Sequence, residues 1–139
     1  MSESPHGTVE LRVRYPEVDR MGFVYHAHYL TWCELGRTEL IRERLGLSYA
    51  ELEDRGVLLA VSDASLRYHR AARYDERVRV ETRVEEVRSR TVTFGYRIVR
   101  VADGERLATA RTALICIDGN GRPRRIPPEV AGALARDEG

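Results

Sequence analysis

The chain has 139 residues, 42% hydrophobic and 32% charged, the size and balance of one globular domain with a single core. Its 23 basic residues, all arginine, offset 22 acidic ones to a net charge of +1, which argues against a general nucleic-acid binder. The longest apolar run, 57–61, is too short to cross a bilayer, and Cys33 and Cys116 stand too far apart for a redox or zinc motif, so both are expected as small buried hydrophobes.

Residues 1–7 are small and polar, a loose N-terminus without the pattern of an export signal, and a cytoplasmic enzyme or binding module is expected. Residues 8–15 alternate apolar and polar, placing Val9, Leu11, Val13 and Tyr15 on one face of a half-buried strand that Pro16 ends. A turn holding Asp19 and Gly22 follows. Tyr25, Tyr29, Trp32, Cys33, Gly36 and Leu40 then recur at steps of three and four, which predicts a helix over about 26–44 with close backbone packing at Gly36. Gly46 stops it, and Ser48-Tyr-Ala-Glu51 has the spacing of a capping box opening a short second helix that ends near Gly56.

Four strands are expected over 57–68, 76–86, 90–100 and 106–117, joined by short connections of which Asp103-Gly104 is the clearest hairpin turn. Pro127-Pro128 precedes a short C-terminal helix and tail over 127–139. One domain thus spans 1–139: α+β, a curved antiparallel sheet of about five strands wrapped around one long central helix, with short additional helices.

Chemistry concentrates where the first strand meets the helix. Carbonyl cleavage needs an ionised oxygen base or nucleophile beside donors for the developing oxyanion, and the first amides of a helix are unpaired donors at the positive end of its dipole. Asp19 in a glycine turn just before the helix has that placement, although an aspartate there can also serve only the turn. Two histidines two residues apart on a helix point about 200° from each other, so His26 and His28 are not expected to share a metal ion. Glu34, mid-helix, reads as solvated charge and is the first substitute for Asp19. Tyr15 is either a hydrogen-bonding group of the site or a core aromatic.

The run Asp19-Arg-Met-Gly22-Phe-Val-Tyr25-His26-Ala-His28-Tyr29, preceded by Tyr15, resembles the hotdog-fold acyl-CoA thioesterases, in the branch holding 4-hydroxybenzoyl-CoA thioesterase and the small acyl-CoA thioesterases associated with the Tol–Pal system. Tyr68-His-Arg-Ala-Ala-Arg-Tyr-Asp75 and Arg88-Ser-Arg-Thr-Val-Thr-Phe94 extend the likeness over about 9–117. The resemblance implies a hotdog fold and a thioester hydrolase without metal or cofactor, coenzyme A entering as part of the acyl-CoA substrate. It implies Asp19 as catalytic carboxylate, acting as nucleophile or through a water, with Tyr15 and the His26 side chain in support. Gly22, Tyr25 and the backbone amide of His26 form the turn and oxyanion site. A homodimer or homotetramer is implied, with sites at subunit boundaries, no nucleic acid and no membrane insertion. Composition and resemblance together assign Arg88, Ser89 and Arg90 to the coenzyme A phosphates; Arg67, Arg70 and Arg73, and then Arg122, Arg124 and Arg125, are weaker basic groups. A non-catalytic acyl-CoA-binding module, an acyl-thioester hydratase and a scaffold subunit are the rival readings.

Overall fold

Alternation of apolar and polar side chains builds five antiparallel strands in the computed structural model, which describes residues 4–135. They are β1 (Gly7–Arg12), β2 (Leu58–Tyr68), β3 (Arg77–Val87), β4 (Thr91–Arg100) and β5 (Arg106–Ile117), in the order β1-β3-β4-β5-β2. Register places Val80 opposite Ile98 and Thr82 opposite Tyr96, so every second residue lands on one buried face. On the other face Glu81 accepts from Arg79 at 3.1 Å and from Arg97 at 2.8 Å, a half-buried arrangement of paired charges.

The buried face receives helix α1 (His28–Leu45), through Tyr29, Trp32, Cys33, Gly36, Arg37, Leu40 and Ile41. Gly36 is the closest approach: a Cβ there would lie 2.6 Å from Thr82 Oγ1 and 2.9 Å from Val80 Cγ1. Hydrogen there is what lets the helix lie on β3. Within this core the Arg37 guanidinium donates to the hydroxyls of Tyr49 at 3.1 Å and Tyr96 at 3.2 Å, and Tyr96 shares a 2.6 Å bond with Thr112. Both cysteines are buried, and burial pushes the Cys33 thiol up to about 12, out of reach of reactive chemistry at neutral pH.

A short helix α2 (Tyr49–Asp54) opens with the expected box: the Ser48 hydroxyl accepts from the Glu51 amide at 3.1 Å while the Glu51 carboxylate accepts from the Ser48 amide at 2.9 Å. Helix α3 (Pro128–Ala135) buries Val130 and Leu134, and Arg44 donates to the Leu134 carbonyl at 3.0 Å.

Three local differences from the sequence reading all surround the first turn. β1 begins at Gly7, with the His6 amide already bonded to the Thr82 carbonyl at 2.8 Å, and ends at Arg12. Pro16, whose fixed φ suits a helical turn, draws Tyr15–Glu17 into one turn of 3-10 helix, so Tyr15 leaves the strand and stands 74% exposed instead of entering the core. Helix α1 starts at His28, so Tyr25 falls outside the apolar stripe and is exposed. Among the described residues no helix is long and apolar enough to cross a membrane.

Candidate active site

The segment between the 3-10 turn and α1 folds back on itself. Val18 bridges Val24, the Asp19 amide donates to the Phe23 carbonyl at 2.8 Å, and the Gly22 amide donates to the Asp19 carbonyl at 3.0 Å. Gly22 has φ +83°, a backbone closed to most side chains, which is why glycine occupies this tip. The Asp19 side chain is split in use. Its Oδ1 accepts from the amides of Met21 at 2.8 Å and Phe23 at 3.2 Å, holding the turn, whereas its Oδ2 has no protein partner among the described residues and Asp19 is exposed.

Glu17, only two residues earlier, has the opposite environment. Its carboxylate is buried, accepting from the Trp32 indole at 3.1 Å and the Arg14 amide at 2.8 Å, and its carbonyl accepts from the Tyr25 amide at 2.9 Å. Burial alone would raise its pKa; bonds from the Arg14 amide, the Trp32 indole and the Arg14 guanidinium outweigh it and hold the carboxyl below the usual glutamate range. Glu17 therefore ties the loop to α1. The sequence reading noted Glu17 only as another carboxylate near Asp19, although an acid three positions after Arg14 and next to Pro16 has the spacing of a turn-capping acid.

The helix start is left open to solvent. Ala27 at the N-cap has no side chain that can accept a bond, and the first turn holds no acidic residue. The Tyr25 carbonyl accepts from the His28 amide at 3.0 Å, and the His26 carbonyl accepts from the Tyr68 hydroxyl at 3.0 Å and the Tyr29 amide at 3.3 Å. The amides of His26 and Ala27 donate to no protein group among the described residues. The Tyr25 and His26 rings meet at a tilt of 42° with centroids 4.4 Å apart, both exposed. His26 precedes the first helical residue, so the helical angle expected between it and His28 does not describe this pair.

The segment before β3 straps the loop from outside. The Val24 amide donates to the Ala72 carbonyl at 2.9 Å, the Ala72 amide donates to the Tyr29 hydroxyl at 2.9 Å, and the Arg73 guanidinium lies 4.7 Å over the Phe23 ring. Tyr15 takes no part in these bonds; its ring meets Tyr74 edge-on at 5.7 Å. Asp19, Gly22, Tyr25 and His26 thus share one exposed loop at the N-terminal end of α1.

A model of the Thioesterase-like superfamily matches residues 13–134. The chain belongs to that superfamily. It is similar to the Bacillus subtilis protein YneP, 42% identical over 78% of each sequence, and to the acyl-CoA thioesterase YbgC of Haemophilus influenzae, 35% identical over 89% of this chain and 90% of that one. Among solved structures, the DHNA-CoA thioesterase of Staphylococcus aureus superimposes with a TM-score of 0.85 at 35% identity, covering 91% of this chain and 87% of that one. The fold of this thioesterase-like chain is accordingly the hotdog arrangement of curved sheet and central helix.

Arg88, Ser89 and Arg90 lie elsewhere in this thioesterase-like chain. They form the β3–β4 hairpin, whereas the Asp19 loop touches the residues that precede β3, so the length of β4, ten residues or about 30 Å, separates the two. The hairpin instead meets the third basic group: the Ile126 amide donates to the Ser89 carbonyl at 2.8 Å, and Arg88, Ser89, Arg124, Arg125 and Pro127 line one groove of about 430 Å³. The second basic group disperses, with Arg73 on Phe23 and Arg70 4.0 Å from Glu105. Glu34 is exposed on the open side of α1.

Proposed function

We propose that this chain hydrolyses acyl-CoA thioesters, using Asp19 as the carboxylate and the free amides at the start of α1 as the oxyanion donors. The observation that carries the reading is the division of labour in one loop: Asp19 Oδ1 fixes the turn, Oδ2 is open, and the amides of His26 and Ala27 stand unpaired where the helix dipole is positive. Oδ2 attacks the thioester carbonyl or takes a proton from the water that does. The carbonyl oxygen gains negative charge against the amides, the C–S bond breaks, and the thiolate leaves as coenzyme A once protonated. The acid is released directly, or after water opens the intermediate anhydride. No step calls for a metal or a cofactor. Tyr15 and the His26 side chain border the loop as supporting groups.

The site is completed by a second copy of the chain. β2 is an edge strand of 11 residues, and its inward-facing Val61 and Ala64, level with the buried Leu114 and Thr112, are exposed. Antiparallel pairing of β2 with β2 of a second copy covers this edge. It also turns one sheet end for end, bringing the Arg88–Arg90 hairpin of one copy to the end that holds Asp19 in the other. Coenzyme A phosphates on Arg88, Ser89 and Arg90 are then compatible with a thioester at Asp19. A homodimer is the minimum unit, and a homotetramer is two of these. The likeness of the motif from Asp19 to Tyr29 supports a reading in the branch with 4-hydroxybenzoyl-CoA thioesterase and the Tol–Pal-associated enzymes, with the cytoplasm as the place of action.

Thiol release from a panel of aliphatic and aromatic acyl-CoAs tests the reading. Wild type is expected to turn over part of the panel and Asp19→Ala to lose at least about a hundredfold in kcat, the scale of a lost catalytic carboxylate. Unchanged hydrolysis in Asp19→Ala defeats the mechanism, and binding without turnover by wild type supports a non-catalytic acyl-CoA module.

A further inference from the structure

The last peptide before α1 is held by a residue to which no role has been assigned. Tyr68 is the final residue of β2, and its hydroxyl donates to the His26 carbonyl at 3.0 Å. Its ring meets Tyr29 edge-on at 5.2 Å and His26 edge-on at 6.4 Å, so neighbours on α1 and on the loop both fix the phenol's direction. The peptide joining His26 to Ala27 is trans and planar, as every peptide described here is, so its C=O and N–H point in opposite directions. Whatever pins the His26 oxygen therefore aims the Ala27 hydrogen. The Tyr29 amide, at 3.3 Å, is the longer of the two bonds to that oxygen, and no N-cap side chain assists.

We infer that Tyr68 is a positioning residue, whose phenol holds the His26 carbonyl and so directs the Ala27 amide toward the oxyanion of the bound thioester. The preceding peptide obeys the same geometry without help: the Tyr25 carbonyl is drawn into the helix by the His28 amide, which turns the His26 N–H outward. The two donors thus have different supports. The His26 amide is aimed by the helix's own first turn alone, and the Ala27 amide by a longer bond of that turn together with a side chain from the far edge of the sheet. Tyr68 acts through the backbone and contacts no reacting atom in this scheme.

This inference rests on the hydrolytic reading above, and Tyr68→Phe tests it, since the variant keeps the ring contacts and removes only the hydroxyl. Expected are a kcat reduced about tenfold, the scale of one misaligned hydrogen bond, and a KM within about twofold of wild type. Amide hydrogen exchange, which needs no turnover, is expected to accelerate at Tyr29, whose N–H donates to the carbonyl that Tyr68 holds, and to stay at the wild-type rate at Leu40 and Ile41 in the middle of α1. A wild-type kcat with unaltered Tyr29 exchange overturns the inference. So does a variant in which exchange rises along all of α1, because the hydroxyl then supports the helix as a whole. If wild type itself fails to release thiol, the hydrolytic reading falls, while the exchange comparison still decides whether Tyr68 holds the peptide.

Discussion

The two ends of α1 are built to different standards. At its C-terminal end Gly46 takes the left-handed conformation, φ +69°, and returns its amide to the Arg42 carbonyl at 2.8 Å. Arg42 and Arg44 stand in the last turn, where positive charge offsets the helix dipole, and Arg44 reaches the final carbonyls of α3. The N-terminal end has the reverse: Ala27 in place of a capping side chain, no acid in the first turn, and two amides left to solvent. One end is finished for stability. The other leaves its donors unpaired, as the proposed oxyanion site requires, and is held by ties that avoid those amides, through Glu17, Tyr29, Tyr68 and Ala72.

Substitutions that separate activity from stability sharpen this contrast. The largest effect belongs to Asp19→Asn, whose side-chain oxygen can still accept from the Met21 and Phe23 amides. Its kcat is expected to fall at least about a hundredfold while the melting temperature stays within a degree or two, and a large loss of stability would mean that Asp19 serves the turn more than the reaction. Midway along the helix, Gly36→Ala forces a methyl group to 2.6 Å from Thr82 Oγ1. A loss of about 2 kcal/mol in urea unfolding is expected, and a neutral result would show that α1 can lift off β3 freely. At the finished end, Gly46→Ala places a side chain in the left-handed region and is expected to cost about 1 kcal/mol without touching kcat in the remaining folded enzyme.

The smallest effect is a slope. Because the folded Glu17 carboxyl titrates below its ordinary value near 4.5, its contribution to stability is complete above that pH and disappears as pH falls through the lower folded value. Stability measured from pH 6 downward should therefore decline more steeply in wild type than in Glu17→Gln. Parallel curves would remove Glu17 from the list of ties.

Much of the scaffold was legible in the order of residues. The expected strand over 106–117 matches β5 at both ends, β2 and β4 differ from expectation by one residue at one end and β3 by one residue at each, because alternation at period two on a half-buried surface leaves little freedom. The Asp19 turn was also readable, being local, whereas the helix starts two residues beyond the expected 26. What failed was non-local. Tyr15 and Tyr25 fit the apolar pattern on either side of the turn, but the Val18–Val24 bridge and the Pro16 turn move both off it. Glu17 is buried only because Trp32, fifteen positions later, reaches it. The distance from Asp19 to Arg88, Ser89 and Arg90 depends on which end of the sheet each connection occupies, and residue types alone do not encode that.

Trp32 is the chain's one tryptophan, 2% exposed, with its indole N–H on the Glu17 carboxylate. Emission excited at wavelengths too long for the seven tyrosines to absorb is thus the signal of a single fluorophore seated under the loop that carries Asp19. A spectral shift on mixing with acyl-CoA, or on acidification, would report movement at that junction in real time, with no label attached.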